Sequence, residues 1–169
     1  MTFRIGEKVV YPNQGIGTIE NITTRPSGAQ FERFYLLKLS YSSMTVMVPF
    51  SHAGEVGLRR VTQNGEISRV LLYLSNNGCR CCQDWKDRFK ENSEKMRSGS
   101  LLEVAEVLKT LLILQRDKPL SFREKKMLDR ARHMLIIELA VSQCIPESQA
   151  VEMLQRALGK ASLALPAAL

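Results

Sequence analysis

The spacing of apolar residues changes once along the chain, close to residue 62. Before that point, apolar and β-branched residues form short runs, VVYPNQGIGTIENI, FERFYLLKLSY and SMTVMVPF, with turn-forming residues within and between them. Pro49 predicts that the last run ends there or lies at a sheet edge, because proline cannot donate a ladder hydrogen bond. Gly15 and Gly17 predict a bend or the close approach of another backbone. Short strands joined by turns are typical of a small twisted β-barrel or sheet.

After residue 62 the apolar spacing becomes helical. The stretch EISRVLLYLS predicts a short helix, and a second helix is expected from about Asp84 to Arg97. Ser100 and Ser121 each stand three residues before a glutamate, which is the spacing of a capping box and predicts the start of a further helix. Pro146 suits the first position of a last helix.

These patterns predict an α+β chain with two domains. Residues 1–62 would form a small β-barrel or sheet domain, residues 63–160 an all-helical domain of about five helices, and residues 161–169 a flexible tail. The hydrophobic fraction is 44% and the charged fraction 24%, which are ordinary values for globular domains with packed cores.

The net charge of +7 favours a polyanionic partner such as nucleic acid, or an anionic surface. The N-terminus has no apolar run long enough for a signal peptide, and no stretch of about 20 apolar residues could span a bilayer. We therefore expect a cytoplasmic protein without a membrane partner.

The basic residues cluster in one short window. Residues 1–62 and 63–169 carry net charges of +3 and +4, so the mean charge does not locate a site. The window from Lys118 to Arg132 holds six basic residues and two acidic ones, at the start of a predicted helix. Positive charge there opposes the helix macrodipole, which indicates that it is kept for a partner such as phosphate. A solvated helix face is the alternative interpretation.

Three cysteines, Cys79, Cys81 and Cys82, lie close together in NNGCRCCQDWKDRF. Cytoplasmic thiols stay reduced, so a disulfide framework is not expected. A zinc site needs four ligands, usually as two spaced pairs, whereas the other candidate ligands are isolated: His52, His133 and Cys144. We expect no metal and no cofactor. Incidental cysteines and a thiol switch beside basic residues remain the competing interpretations.

No catalytic pattern is present. The chain has no glycine-rich phosphate loop, nucleophile elbow or histidine–carboxylate arrangement, and it has two histidines in all. We therefore expect a binding protein and not an enzyme.

The single tryptophan, Trp85, is predicted in the first turn of a helix. Its helical offsets from Phe89 and Met96 place all three on one face, so a core position is one interpretation. The other interpretation depends on the basic neighbours Lys86, Arg88 and Lys90. An aromatic residue at a helix tip among cations can stack on a base or wedge into a DNA step.

Five stretches, in this order, carry a resemblance to a known family: GEKVVYPNQGIG, VMVP, DWKDRFKENSEKMRSG, EVAEVLKTL and LSFREKKMLDRAR. Together they resemble the CarD/CdnL family of bacterial transcription regulators, which bind RNA polymerase. The resemblance extends over nearly the whole chain, to about Gly159.

The resemblance implies that the N-terminal domain is Tudor-like and docks on the RNA polymerase β subunit. Met47 and Pro49 match the docking strand of the family, and Arg25 lies on a neighbouring segment. Some relatives have arginine at the position of Met47, where methionine would offer an apolar contact instead.

For the helical domain, the resemblance implies contact with the minor groove of promoter DNA at the upstream edge of the melted region, largely without sequence specificity. Trp85 matches the wedge tryptophan of the family. The expected basic contacts are Lys86, Arg88, Lys90, Lys125 and Lys126. Relatives usually have arginine at the position of Asp87, and Lys86 is the candidate to replace it.

The expected function is therefore that of a monomeric transcription regulator that docks on polymerase and stabilises the promoter open complex. The alternative is a protein–protein adaptor without direct DNA contact. Salt dependence distinguishes the two, because phosphate contacts weaken steeply as the salt concentration rises.

Overall fold

The computed structural model describes residues 2–12, 14–40, 42–76, 85–98 and 100–167, with only the backbone for Trp85 and Ser98. It divides into two units, Met1–Val61 and Thr62–Leu169. The described residues form five strands followed by five α-helices. This arrangement confirms the predicted α+β fold class, with the β unit first.

The N-terminal unit is one antiparallel sheet with the strand order β4-β3-β2-β1-β5. The strands are β1 (Lys8–Tyr11), β2 (Gly15–Ser27), β3 (Gln30–Leu39), β4 (Thr45–Pro49) and β5 (Arg59–Arg60). Pro49 is the last residue of β4, and β4 lies at an edge of the sheet, as the missing proline N–H predicts.

One face of the sheet forms the core of this unit. Tyr35, Leu37 and Leu39 alternate along β3 and are buried on that face. The Tyr35 ring stacks on Phe50 with their centroids 4.0 Å apart, and its hydroxyl accepts a hydrogen bond from the Phe3 N–H at 3.1 Å. The residues of β3 between them are left on the opposite, outer face of the sheet.

The two glycines at the start of β2 are needed for different reasons, in line with the expected bend or close approach. Gly15 has φ +102°, in the region that favours glycine. A Cβ atom at Gly17 would lie 2.7 Å from Leu37 Cδ1, so the close packing of β2 on β3 requires a residue without a side chain.

The second unit contains the helices α1 (Asn64–Ser75), α2 (Trp85–Ser98), α3 (Leu101–Asp117), α4 (Phe122–Gln143) and α5 (Glu147–Lys160). The central helix is α3, against which α1, α2 and α4 pack, while α5 packs on α1 and α4. No helix in the described ranges is both long and apolar enough to cross a membrane.

The two predicted capping boxes differ in the structure. The Ser121 hydroxyl accepts a hydrogen bond from the Glu124 N–H at 3.3 Å, as predicted. Ser100 is the N-cap of α3, but its side chain makes no capping hydrogen bond. Leu101 and Val104 in the first turn of α3 are buried, so packing stabilises this helix start in place of the side-chain cap.

Residues 161–167, which follow α5, pack on the helical core, whereas the sequence predicted a flexible tail for residues 161–169. Leu163 is buried in the core. Arg116 Nη2 donates to the Ala161 carbonyl at 3.1 Å, and Arg132 Nε donates to the Pro166 carbonyl at 2.7 Å. The sequence pattern could not indicate these contacts, because both arginines lie more than 30 residues away in the chain.

Candidate functional site

Helix α2, which begins at Trp85, has one buried stripe. Arg88, Asn92 and Met96 are four residues apart and only 3 to 4% exposed, so they lie on the face that packs against the unit. Lys86 and Lys90, two residues to either side of Arg88, are exposed. The helix therefore turns an arginine inward and two lysines outward.

Arg88 forms a buried ion pair with Glu124 of α4. Its Nε and Nη2 atoms donate to Glu124 Oε2 at 3.3 and 3.2 Å. The side chains of the two residues are 5% and 8% exposed. Since Arg88 is the fourth residue of α2 and Glu124 the third of α4, the pair joins the first turns of the two helices.

The other carboxylate oxygen of Glu124 is also occupied. Ser121 Oγ donates to Glu124 Oε1 at 3.1 Å while it accepts from the Glu124 backbone N–H. One glutamate thus takes part in the cap of α4 and neutralises the buried guanidinium of α2. Removing either member of such a pair leaves an uncompensated buried charge, which typically costs about 3–5 kcal/mol.

These contacts change the assignment of Arg88, which the sequence placed among the residues that contact DNA. Its guanidinium is buried and already hydrogen-bonded to Glu124, so it does not face a phosphate in this structure. We assign it as a positioning residue that holds the start of α2. The sequence offered no sign of this partner, since the two residues are 36 positions apart.

The ion pair joins the starts of two helices that each carry exposed lysines. Lys86 and Lys90 flank Arg88 on α2, and Lys125 and Lys126 directly follow Glu124 on α4. Four of the predicted basic contacts therefore lie on the outside of one joint between two helices. We call this set the lysine surface.

Phe122, the first residue of α4, is an exposed aromatic residue that the sequence reasoning passed over. It is 70% exposed, and Lys126 Nζ lies 4.6 Å from the centroid of its ring. The ring therefore lies beside a cation of the lysine surface. The signal was present in SFREKK, where an aromatic residue at a helix start directly precedes a basic tract.

Trp85 is the first residue of α2, so the expected wedge residue begins the helix that Arg88 holds in place. Its side chain and the cysteines Cys79, Cys81 and Cys82 lie outside the described residues. Asp87 is exposed in the first turn of α2, where a negative charge stabilises the positive end of the helix dipole. This local role explains the acidic residue at this position.

The residues expected to bind polymerase lie on the outer face of the sheet. Met47 pairs with Leu36 on β3, and Pro49 pairs with Phe34. All four are half-buried and belong to the alternate positions that face away from the β core. They form a small apolar patch beside the edge strand β4, which we call the β4 patch.

Arg25 lies beside this patch. It pairs across the strands with Glu32, which is two residues before Phe34 on the same face of β3. Arg25 is exposed and Glu32 is half-buried. The structure therefore brings Arg25, Met47 and Pro49 onto one face of one sheet.

In the described part of the chain, no group of three or more His, Cys, Asp or Glu side chains could hold a metal ion. Cys144 is an exposed thiol at the left-handed C-cap of α4. His52 lies 3.8 Å from Glu55, and His133 lies 3.7 Å from Asp129, in separate units of the molecule.

Comparison with known proteins agrees with the division of the chain into two units. The family model CarD-like/TRCF RID domain matches residues 3–62, and the model CarD, C-terminal domain matches residues 69–155. The chain is 35% identical over 147 residues to the Bacillus subtilis (strain 168) protein named "Putative transcription factor YdeB", with 87% of this chain and 96% of that protein covered. The chain belongs to the CarD/CdnL family and is a CarD-like transcription regulator.

Proposed function

We propose that this protein docks on the RNA polymerase β subunit through the β4 patch and stabilises the promoter open complex through the starts of α2 and α4. One observation carries the proposal. The buried Arg88–Glu124 pair fixes the turn that begins with Trp85 against the turn that contributes Lys125 and Lys126. An aromatic wedge and its phosphate contacts would thus be held in one rigid arrangement.

The docking half of the proposal is supported by the edge position of β4. An edge strand offers unpaired backbone donors and acceptors, to which a strand of a partner can add. The half-buried side chains of Met47 and Leu36 offer apolar contact area beside it. Methionine adapts to an irregular partner surface, which suits a contact that differs from the arginine of some relatives.

The DNA-binding half is supported by the lysine surface and by Phe122. Lysines contact phosphates without reading sequence, so they position the protein on many promoters. Exposed aromatic rings stack on unstacked bases, and each such contact contributes about 1–3 kcal/mol. Phe122, with its ring against Lys126, is the proposed second aromatic contact beside Trp85.

The mechanism follows from differential affinity. A melted promoter has partly unstacked bases at the upstream edge of the bubble, and a wedge fits this form better than the closed duplex. A ligand shifts an equilibrium only by the difference in its affinity for the two states. About 1–3 kcal/mol of preferential stacking would raise the open-complex population roughly 5- to 150-fold.

Docking on polymerase should raise the effective concentration of the lysine surface at the promoter. The test is DNA affinity, measured by fluorescence anisotropy with a forked promoter fragment, with and without the polymerase holoenzyme. We expect weak binding to free DNA and much tighter binding when polymerase is present. Equal affinity in both conditions would contradict the tether, and salt-independent recruitment to DNA would favour a protein–protein adaptor.

A further inference from the structure

A second surface of the helical unit lies between α1 and α5, and none of its lining residues belongs to α2 or α4. It is a groove of about 440 Å³. Each helix contributes four residues at the spacing i, i+3, i+4, i+7, which is one stripe of a helix. The lining residues are Ser68, Leu71, Leu72, Ser75, Met153, Arg156, Ala157 and Lys160.

The floor of the groove is apolar. Leu71, Leu72, Met153 and Ala157 supply it, and Leu72 remains 64% exposed although it belongs to the packed α1. The two serine hydroxyls are satisfied within α1, where Ser68 donates to the Asn64 carbonyl at 3.2 Å and Ser75 to the Leu72 carbonyl at 2.8 Å. A bound partner therefore need not supply hydrogen-bonding groups for these two hydroxyls.

The α5 side of the groove is positively charged. Arg156 and Lys160 are exposed and one helical turn apart, and none of the eight described residues that line the groove is acidic. Arg156 Nη2 lies 3.9 Å from Glu152 Oε2, in a pair whose side chains are 77% and 65% exposed. Such exposed pairs contribute little, so Arg156 can turn to an acidic partner at small cost.

We propose that this groove binds an amphipathic helix of a protein partner, with leucine-like residues on one face and acidic residues along the side that meets α5. Two neighbouring stripes with helical spacing form the kind of groove into which the ridges of a third helix pack. Arg156 and Lys160 then pair with carboxylates of the partner. DNA would leave the apolar floor unused.

The direct test uses a defined probe with the full-length chain. The probe is a fluorescent helical peptide of about five turns (~18 residues), with leucines on one face and glutamates beside them. Two matched peptides serve as controls, one with lysine in place of each glutamate and one with the same composition in scrambled order. We expect saturable binding of the acidic peptide, at least tenfold tighter than that of either control. Equal binding of the three peptides would overturn the proposal.

Variants connect the binding to the groove. Arg156→Glu with Lys160→Glu should weaken the acidic peptide at least tenfold and strengthen the basic one, and Leu72→Asp should weaken both. Gln155→Glu adds a negative charge to an exposed residue of α5 outside the lining, so it should change the affinity only slightly. Unchanged affinity in the double variant, with its helix content intact by circular dichroism, would contradict the proposal.

Two further outcomes would assign the groove to another occupant. Sedimentation of the wild-type chain and of Leu72→Asp gives the first, because a dimer that the substitution dissociates would indicate a second copy of this chain. Displacement of the bound acidic peptide by duplex DNA at moderate salt would indicate a nucleic-acid surface. Either result would overturn the assignment to an acidic helix, whereas a monomer and an undisplaced peptide support it.

Discussion

The lysine surface and the β4 patch are built in opposite ways. On the first, four lysines project from two helix starts that a buried ion pair holds together. On the second, half-buried apolar side chains lie beside the edge strand β4, and the hydrogen bonds of the sheet fix the position of this strand. The first surface suits long-range attraction to a charged polymer, and the second suits a short-range fit to one protein. The two should therefore respond differently to salt and to mutation.

The largest effect is expected at the buried ion pair. Glu124→Ala leaves Arg88 buried without a counter-charge, so the helical unit should lose about 3–5 kcal/mol of unfolding free energy. Urea denaturation followed by far-UV circular dichroism measures this loss. The variant should also lose its effect on the open complex, because the starts of α2 and α4 are no longer joined.

A matched apolar pair separates positioning from DNA contact. Arg88→Met with Glu124→Leu removes both charges at similar volume, so stability should return to within about 2 kcal/mol of the wild type. DNA affinity in the polymerase complex should then be retained, because Arg88 only positions α2. A stable double variant with strongly reduced DNA affinity would show that Arg88 contacts DNA itself.

The next effect concerns the β4 patch. Met47→Asp places a charge in a half-buried apolar contact, and binding to an isolated β-subunit fragment should weaken by about 2–4 kcal/mol, roughly 30- to 1000-fold. Biolayer interferometry measures the affinity at two salt concentrations. The affinity of the wild type should change little between them. Ile5→Asp is the control, since Ile5 is 60% exposed outside the patch. Unimpaired binding of Met47→Asp would refute the docking assignment.

A moderate effect is expected on the lysine surface. Lys125→Ala with Lys126→Ala should weaken DNA binding in the polymerase complex and reduce the slope of log affinity against log salt by about 2, one for each lost phosphate contact. Lys8→Ala, at an exposed position of the β unit, should leave the slope unchanged. An unaltered slope in the double variant would place the phosphate contacts elsewhere.

The smallest effect concerns an ion pair of the β unit. Glu7 accepts from the Arg4 N–H at 2.9 Å and from Arg60 Nε at 2.6 Å, and these contacts hold its pKa below the ordinary value of 4.5. A lowered folded-state pKa contributes stability above the unfolded pKa, which is lost as the pH falls through the folded pKa. Arg60 is 57% exposed, so the contribution should be about 0.2–1 kcal/mol.

Glu7→Gln is the corresponding variant. At pH 7 it should unfold at slightly lower urea concentration than the wild type, and the difference should disappear as the pH falls through the folded pKa of Glu7, because Glu7 is then protonated. A difference that persists at acidic pH would point to packing and not to charge as its cause. The contrast with Glu124→Ala compares an exposed pair with a buried one.

Local chemistry explains which structural features could be predicted from the sequence. The two apolar periods predict the order of strands and helices. Pro49 predicts the sheet edge, Gly17 predicts the close approach of another backbone, and Ser121 predicts the cap of α4. Each of these features depends on neighbours in the chain or on backbone geometry alone. The Arg88–Glu124 pair and the packing of residues 161–167 depend on residues far apart in sequence. The sequence pattern around a basic residue in a helix is the same whether the residue faces solvent or a buried carboxylate.

Local chemistry also determines which residues of the candidate site could be predicted from the sequence. The exposed lysines are where the charge pattern indicated, because lysines are almost never buried without a partner. Phe122 was missed because the sequence does not show whether an aromatic residue at a helix start packs inside or, as here, remains 70% exposed. Resemblance to the family supplied the expected polymerase contact, which neither charge nor periodicity would have indicated.

In the proposed function, an aromatic wedge on a tethered protein stabilises the open complex. The most direct measurement is the lifetime of the open complex after a heparin challenge, with wild type, Trp85→Ala and Phe122→Ala. Wild type should prolong the lifetime, Trp85→Ala should return it most of the way to the value without the protein, and Phe122→Ala should have a smaller effect in the same direction. If Trp85→Ala still binds polymerase and prolongs the open complex as well as wild type does, the account is contradicted.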